Sequence, residues 1–223
     1  MYHVTFTGLT PLLMHADNVE WADQMDTWKA ENQRKKSRGE TADDSKAGDD
    51  RTPAWRWIGC LWNDGTNVVI PQAALRRCLV DAGLKMKIGK GSLKRVIAEQ
   101  VTFPALDVPL LVNGKPIPLA PIMALTSEPQ FSAHKATAKR LGFDLMVKRA
   151  PVGFSKHVRV RPVFTNWSVA FEFDVFDEKT VSLAAVEDLV VIAGQRVGLG
   201  DWRPGAPKSP GPYGRFDAKV KKS

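Results

Sequence analysis

Val68-Val69-Ile70-Pro71-Gln72-Ala73-Ala74-Leu75-Arg76-Arg77 decides the fold, because it is a strand that runs straight into a helix. Proline is tolerated at the first helical position, where its missing N–H costs nothing, so the spacing predicts a helix opening at Pro71. Ala74, Leu75, Cys78, Leu79 and Ala82 then form one apolar stripe at i, i+1, i+4, i+5 and i+8, and Gly83 ends it. Arg76 and Arg77 lie off that stripe.

Just upstream, Asn63-Asp64-Gly65-Thr66 carries the Asp-Gly pair of a tight turn, which predicts a β-hairpin between Arg56–Trp62 and Asn67–Ile70. Further back, Tyr2, Val4 and Phe6 alternate with His3, Thr5 and Thr7, the period of a half-buried strand. Val19, Trp21, Met25 and Trp28 are spaced loosely as in a helix over Asn18–Lys36. Ser37–Thr52 is polar, contains glycine and is mixed in charge, as expected of a mobile insertion or long loop.

Downstream, Gly89-Lys90-Gly91 reads as a flexible basic loop before a short helix started by Ser92, with Leu93, Val96 and Ile97 inward. Asn113-Gly114 marks a second hairpin within Val108–Leu119, and Pro109, Pro116 and Pro118 confine it to a sheet edge or an arm. Ser127–Lys156 shows no sustained apolar period and is expected to be an excursion or flexible arm. Val158 and Val160 alternate with His157, Arg159 and Arg161 in His157–Phe164, while Val169, Phe171, Phe173 and Val175 share one face of a second strand. Phe164-Thr165-Asn166-Trp167 is the expected turn between them. Leu183, Val186, Leu189, Val190 and Ala193 form the stripe of another helix, and Arg215–Val220 closes the chain as a strand.

Peeling away the irregular stretches leaves β-α-β-β-α-β, an α+β fold of the ferredoxin-like, RNA-recognition-motif type. The expectation is one domain over 1–223 with insertions at about 17–55 and 115–156. A chain of 223 residues with 43% apolar and 25% charged residues is neither disordered nor fibrous. It contains no run of about 18 apolar residues and no secretory-type start, so a cytoplasmic protein without a membrane span is expected. Cys60 and Cys78 show no CxxC spacing and read as small buried hydrophobes, with no metal or other cofactor implied.

The net charge of +8 is uneven. Residues 134–161 hold 8 Lys and Arg against Asp144 alone, residues 71–100 hold 7 against Asp81 and Glu99, and residues 196–223 hold 7 against Asp201 and Asp217. Two readings stand: solvated faces kept soluble by lysine, or a path for a polyanion, since phosphate backbones recruit Lys and Arg by counterion release. The stretch between the last helix and strand adds Gly198, Gly200, Gly205, Gly211 and Gly214, interleaved with Trp202, Arg203 and Lys208. Glycines let a main chain approach a phosphate, and successive N–H groups make an anion nest.

The Ile70–Arg77 helix opening and Gly211-Pro212-Tyr213-Gly214-Arg215-Phe216 together resemble the RAMP superfamily of CRISPR-associated RNA-binding proteins. The family's C-terminal loop ends Gly-x-Gly-aromatic, and here the final glycines are one residue wider apart. Gly8-Leu9-Thr10-Pro11-Leu12-Leu13 is also similar to the family's start, and the likeness covers about the core half of the chain. With its long excursions the chain looks most like the repeated backbone subunit of effector complexes, or a solitary phage or mobile-element relative. The resemblance implies a non-catalytic subunit that grips guide RNA, self-associates along it and packs on other effector subunits.

On that reading the RNA-binding candidates are Arg76, Arg77, Lys90, Lys94, Lys135, Lys139, Arg140, Arg159, Arg161, Trp202, Arg203, Lys208 and Arg215, with the five loop glycines. Trp202 is the stacking candidate, whereas Trp57 and Trp62 read as core. Arg159 and Arg161 either line a groove or are merely solvated. No nucleophile elbow, HExxH, Walker loop or EF-hand ladder is present, and no catalytic residue is assigned. Two alternatives remain: a phage or mobile-element protein that binds or anneals single-stranded DNA, and a metal-independent RAMP endoribonuclease. The second would use His15 or His157 as general acid, since His15 and Asp17 lie where some family members place an RNA-cleaving residue.

Overall fold

A computed structural model describes residues 1–40, 53–88, 91–152, 155–177 and 181–223. In chain order the elements begin with strands β1 (Tyr2–Gly8) and β2 (Leu12–Leu13), helix α1 (Val19–Ser37) and a 3-10 segment, Ala54–Cys60. Strand β3 (Val69–Pro71), helix α2 (Gln72–Gly83), strands β4 (Lys87–Ile88) and β5 (Gly91–Ser92) and helix α3 (Lys94–Gln100) follow. Then come β6 (Val101–Thr102), β7 (Asp107–Pro109), β8 (Leu111–Val112), β9 (Lys115–Pro116) and helices α4 (Ala120–Met123) and α5 (Phe131–Arg140). Strands β10 (Asp144–Val152), β11 (Ser155–Phe164) and β12 (Trp167–Val175), helix α6 (Leu183–Ile192) with a π-turn at Ala193–Val197, and β13 (Phe216–Lys222) complete an α+β chain.

The chain divides into two compact units. The first comprises Met1–Leu13, Asn63–Ile117 and Phe164–Ser223; the second comprises Met14–Trp62 and Pro118–Val163, and so holds most of the two expected insertions.

The first unit is built on a sheet of order β13-β1-β12-β8-β9, with β6 also on β12. β1 is antiparallel to both neighbours, with Phe6 opposite Val169 on one side and Ala218 on the other. Period 2 puts Tyr2, Val4, Phe6, Val169, Phe171 and Phe173 on a buried face, where Phe6 stacks on Phe216 with centroids 3.9 Å apart. α6 packs on β13 and on α2, and Leu75, Cys78, Leu79 and Ala82 of α2 are buried as their spacing predicts. The Asn113-Gly114 turn between β8 and β9 has both residues at positive φ (51° and 76°), the form that suits a two-residue hairpin, and β9 is the sheet edge.

The second unit holds the hairpin β10–β11, in register from Asp144 opposite Val163 to Val152 opposite Ser155. Beside it lies the buried cluster of Trp57, Phe143 and His134, in which the Trp57 indole N–H donates to Nδ1 of His134 at 3.0 Å.

Several expectations are corrected. Arg56–Trp62 is not a hairpin strand, because Ala54, Trp57, Ile58 and Leu61 are buried at i, i+3, i+4 and i+7, a helical period that coils the segment into a 3-10 turn. The Asp-Gly turn remains, closed by an Asn63–Val68 bridge, but β3 pairs with β7 instead. Among the described residues β11 pairs with β10 and not with β12, since a long hairpin partner immediately precedes it. The stretch 127–156 is therefore ordered structure, α5 and β10, over its described part. Pro71 caps α2 from the end of β3, and α3 begins after Leu93 without a side-chain cap from Ser92. Residues 41–52, the greater part of the expected mobile insertion, lie outside the described residues, as do Gly89, Lys90 and the side chain of His157.

Candidate functional site

The candidate arginines of the first unit are tied into its structure. Arg76 donates to the carbonyls of Val101, at 3.1 Å, and Ala98, and so caps the C-terminal end of α3. Arg77 pairs with Asp81 at 2.9 Å, and the same carboxylate takes Arg203 at 3.7 Å. Arg203 also donates to the Gly200 carbonyl at 3.1 Å, and Arg215 donates to the Gln195 carbonyl. Lys94 and Lys208 are exposed.

The glycine-rich loop is folded onto its own unit. The N–H groups of Asp201, Gly205, Gly211 and Gly214 donate to the carbonyls of Leu13, Val197, Arg203 and Pro11 at 2.7–3.1 Å. Those donors face protein carbonyls and not an anion. At Gly214 (φ +70°) a Cβ would land on the Leu199 carbonyl, and at Gly200 (φ +79°) it would sit 2.5 Å from the Leu13 carbonyl. Gly211 leaves room for Trp202, Gly198 for Pro204 and Gly205 for the Val197 carbonyl, so close packing accounts for the composition of the loop. Trp202, itself at φ +47°, is half-buried and stacks on Tyr213 with centroids 5.5 Å apart.

The open face of the sheet carries His3, Thr5, Thr7, Ser168, Ala170, Glu172, Asp217, Lys219 and Lys221. None of these residues is Phe, Tyr or Trp, and the face is mixed in charge, with His3 held by Glu172 at 2.9 Å. Among the side chains of this face, a stacking base would meet only the His3 imidazole, which Glu172 holds.

In the second unit cationic side chains do come together. The segment after Leu13 is fastened on two sides: Met14 N–H donates to the Pro162 carbonyl of β11 at 3.2 Å, and Ala16 N–H donates to the Cys60 carbonyl at 2.9 Å. Trp62 N–H adds a contact to Met14 Sδ at 3.2 Å. His15 is thereby fixed between the end of the 3-10 segment and β11. The 3-10 period turns Trp57 and Ile58 inward and leaves Arg56 exposed, and the strand period leaves Arg159 exposed and Arg161 half-buried.

The electrostatics report the grouping. His15 is held below its ordinary value first by burial, although the residue reaches solvent, and then by Arg161, with Arg159 and Arg56 acting the same way and Asp17 opposing them. Cys60 is raised by burial against the pull of Arg161 and Arg56. Burial is also the first cause lowering Arg161, which a guanidinium tolerates without losing its charge. Among the described residues, three arginines from two elements, one imidazole and one carboxylate thus share a region that carries more positive than negative charge.

Lys135, Lys139 and Arg140 project from the exposed side of α5, with Lys135 at 4.0 Å from Asp144. Among the described residues no three His, Cys, Asp or Glu side chains gather to hold a metal ion, and no helix is long and apolar enough to cross a membrane.

Arg159 and Arg161 were legible as candidates from strand alternation; Arg56 was not. Reading 54–61 with a helical period would have placed it opposite the buried tryptophan. No protein-family model matches this chain, and no curated protein matches it.

Proposed function

We propose that this chain is a non-catalytic, single-stranded RNA-binding subunit of the RAMP type, which grips a guide RNA and associates with copies of itself and with other effector subunits along the strand. The observation that carries the reading is the grouping of Arg56, Arg159 and Arg161 around His15, with Asp17 the one acid acting on that imidazole among the described residues. Such a site suits the sugar-phosphate backbone, which recruits arginine without base reading. The order β13-β1-β12 supports a ferredoxin-like core, because it sets the last, first and third core strands side by side. The place beside β12 is held by β8 and β6. RNA contact is assigned to the arginine cluster of the second unit, and the sheet face and the C-terminal loop are given supporting roles.

A salt titration of binding to a ~30-nucleotide RNA tests this: affinity should fall steeply with salt and vary little with sequence. A flat salt response would remove the reading. Competition with DNA of matched sequence addresses single-stranded DNA as the preferred ligand, because only the 2′-OH and the thymine methyl distinguish the two. A second reading is metal-independent RNA cleavage with His15 as general acid, in which the neighbouring arginines would hold the scissile phosphate although they also lower the ring's affinity for a proton. Hairpin RNA left uncut by the wild type, His15→Ala and His157→Ala proteins alike would exclude it.

A further inference from the structure

We infer that His15 is the proton-accepting member of this anion site, taking up a proton when an RNA phosphate settles among Arg56, Arg159 and Arg161. The inference rests on the RNA-binding reading and adds a chemical event to it. Two backbone hydrogen bonds, Met14 to Pro162 and Ala16 to Cys60, fasten the residues on either side of His15, so the imidazole cannot withdraw far from the arginines. Among the described residues, the charged or titratable groups acting on it are Asp17 on its own segment, Arg56 from the 3-10 turn and Arg159 and Arg161 from β11. Three of these four are cationic, and with partial desolvation they lower the ring's affinity for a proton in the empty site.

A phosphodiester placed in that field reverses the balance. Its negative charge offsets the arginines and lies within reach of the ring, so the imidazolium gains an opposite charge where it had met like charges. By linkage, a ligand that favours the protonated ring draws a proton from solvent as it binds, and binding strengthens as pH falls. The phosphodiester cannot supply that proton itself, being fully ionised throughout the neutral range.

Calorimetric titration of the protein with a ~15-nucleotide oligouridylate, at one pH near 6.5 in two buffers of different ionisation enthalpy, reads the event directly. The expected result is a buffer-dependent enthalpy equal to uptake of a fraction of one proton. That dependence should vanish in His15→Gln, which removes an exposed imidazole without disturbing a buried contact. Affinity of the wild type should tighten about tenfold between pH ~8 and pH ~5.5, and that of His15→Gln should stay nearly level. In Arg161→Gln, where the empty site already tolerates the proton better, uptake should shrink along with affinity.

Equal enthalpies in the two buffers, or uptake that persists in His15→Gln, would overturn the inference while leaving RNA binding intact. Absence of any binding heat or affinity for the oligouridylate would overturn the RNA-binding reading itself.

Discussion

At the scale of single residues, His134 shows how a polar group becomes core. It is fully buried, its Nδ1 accepts from the Trp57 indole at 3.0 Å, and its Nε2 lies 2.8 Å from the Glu128 carbonyl. Since the indole only donates, Nδ1 must be the bare nitrogen and Nε2 carries the hydrogen, which fixes the neutral tautomer. Burial holds the ring below its ordinary 6.5, against the hydrogen bond to Glu128, which favours the charged form. The unfolded chain therefore binds the proton more readily than the folded one. The contribution to stability is complete above pH 6.5 and is lost as pH falls through the folded value. Denaturant unfolding should show His134→Ala destabilised by about 3 kcal/mol near neutrality, from an orphaned indole N–H and the space left behind. That deficit should narrow on acidification, and a deficit that grows instead would contradict the neutral tautomer.

At the scale of elements, the parts that were legible are those whose buried residues are apolar and strictly spaced. β1 and β12 bury the side chains that their periods select, and α2 and α6 bury most of theirs, with Ala74 half-buried and Leu183, at the start of its helix, exposed. α5 was hidden because it buries His134 and Ala138, so no apolar stripe marks it. β10 was hidden because Leu145 is buried while Val147, on the same face of the strand, is exposed, and Met146 on the other face is half-buried, so no alternation is kept. The 3-10 segment was hidden because its three apolar positions after Ala54 sit in a run rich in tryptophan that also suits a strand. The glycine-rich loop was visible as composition, whereas its purpose was not, since close approach of backbone to backbone and of backbone to phosphate ask for the same residue. Thermal or denaturant unfolding separates the two uses. Gly214→Ala meets the Leu199 carbonyl at φ +70° and should cost about 3 kcal/mol or more. Gly65→Ala, also at positive φ but with nothing within 4 Å, should cost only about 1 kcal/mol. Equal costs would mean that the loop is not packed as described.

At the scale of the whole molecule, charge that is spread over distant stretches of sequence sorts by unit. Arg76, Arg77, Arg203 and Arg215 belong to the first unit and are bound to its carbonyls and to Asp81. Arg56, Arg159 and Arg161 belong to the second and gather at His15. Net charge alone could not distinguish these uses, because an arginine capping a helix and an arginine facing solvent count equally in a sum. The slope of log affinity against log salt for single-stranded RNA distinguishes them. Each phosphate contact on a single strand contributes about 0.7 to that slope, so the double variant Arg159→Gln/Arg161→Gln should flatten it by about 1.4. Arg76→Gln should leave the slope unchanged while lowering stability. A double variant with the wild-type slope would contradict the assignment of the RNA backbone to the His15 cluster.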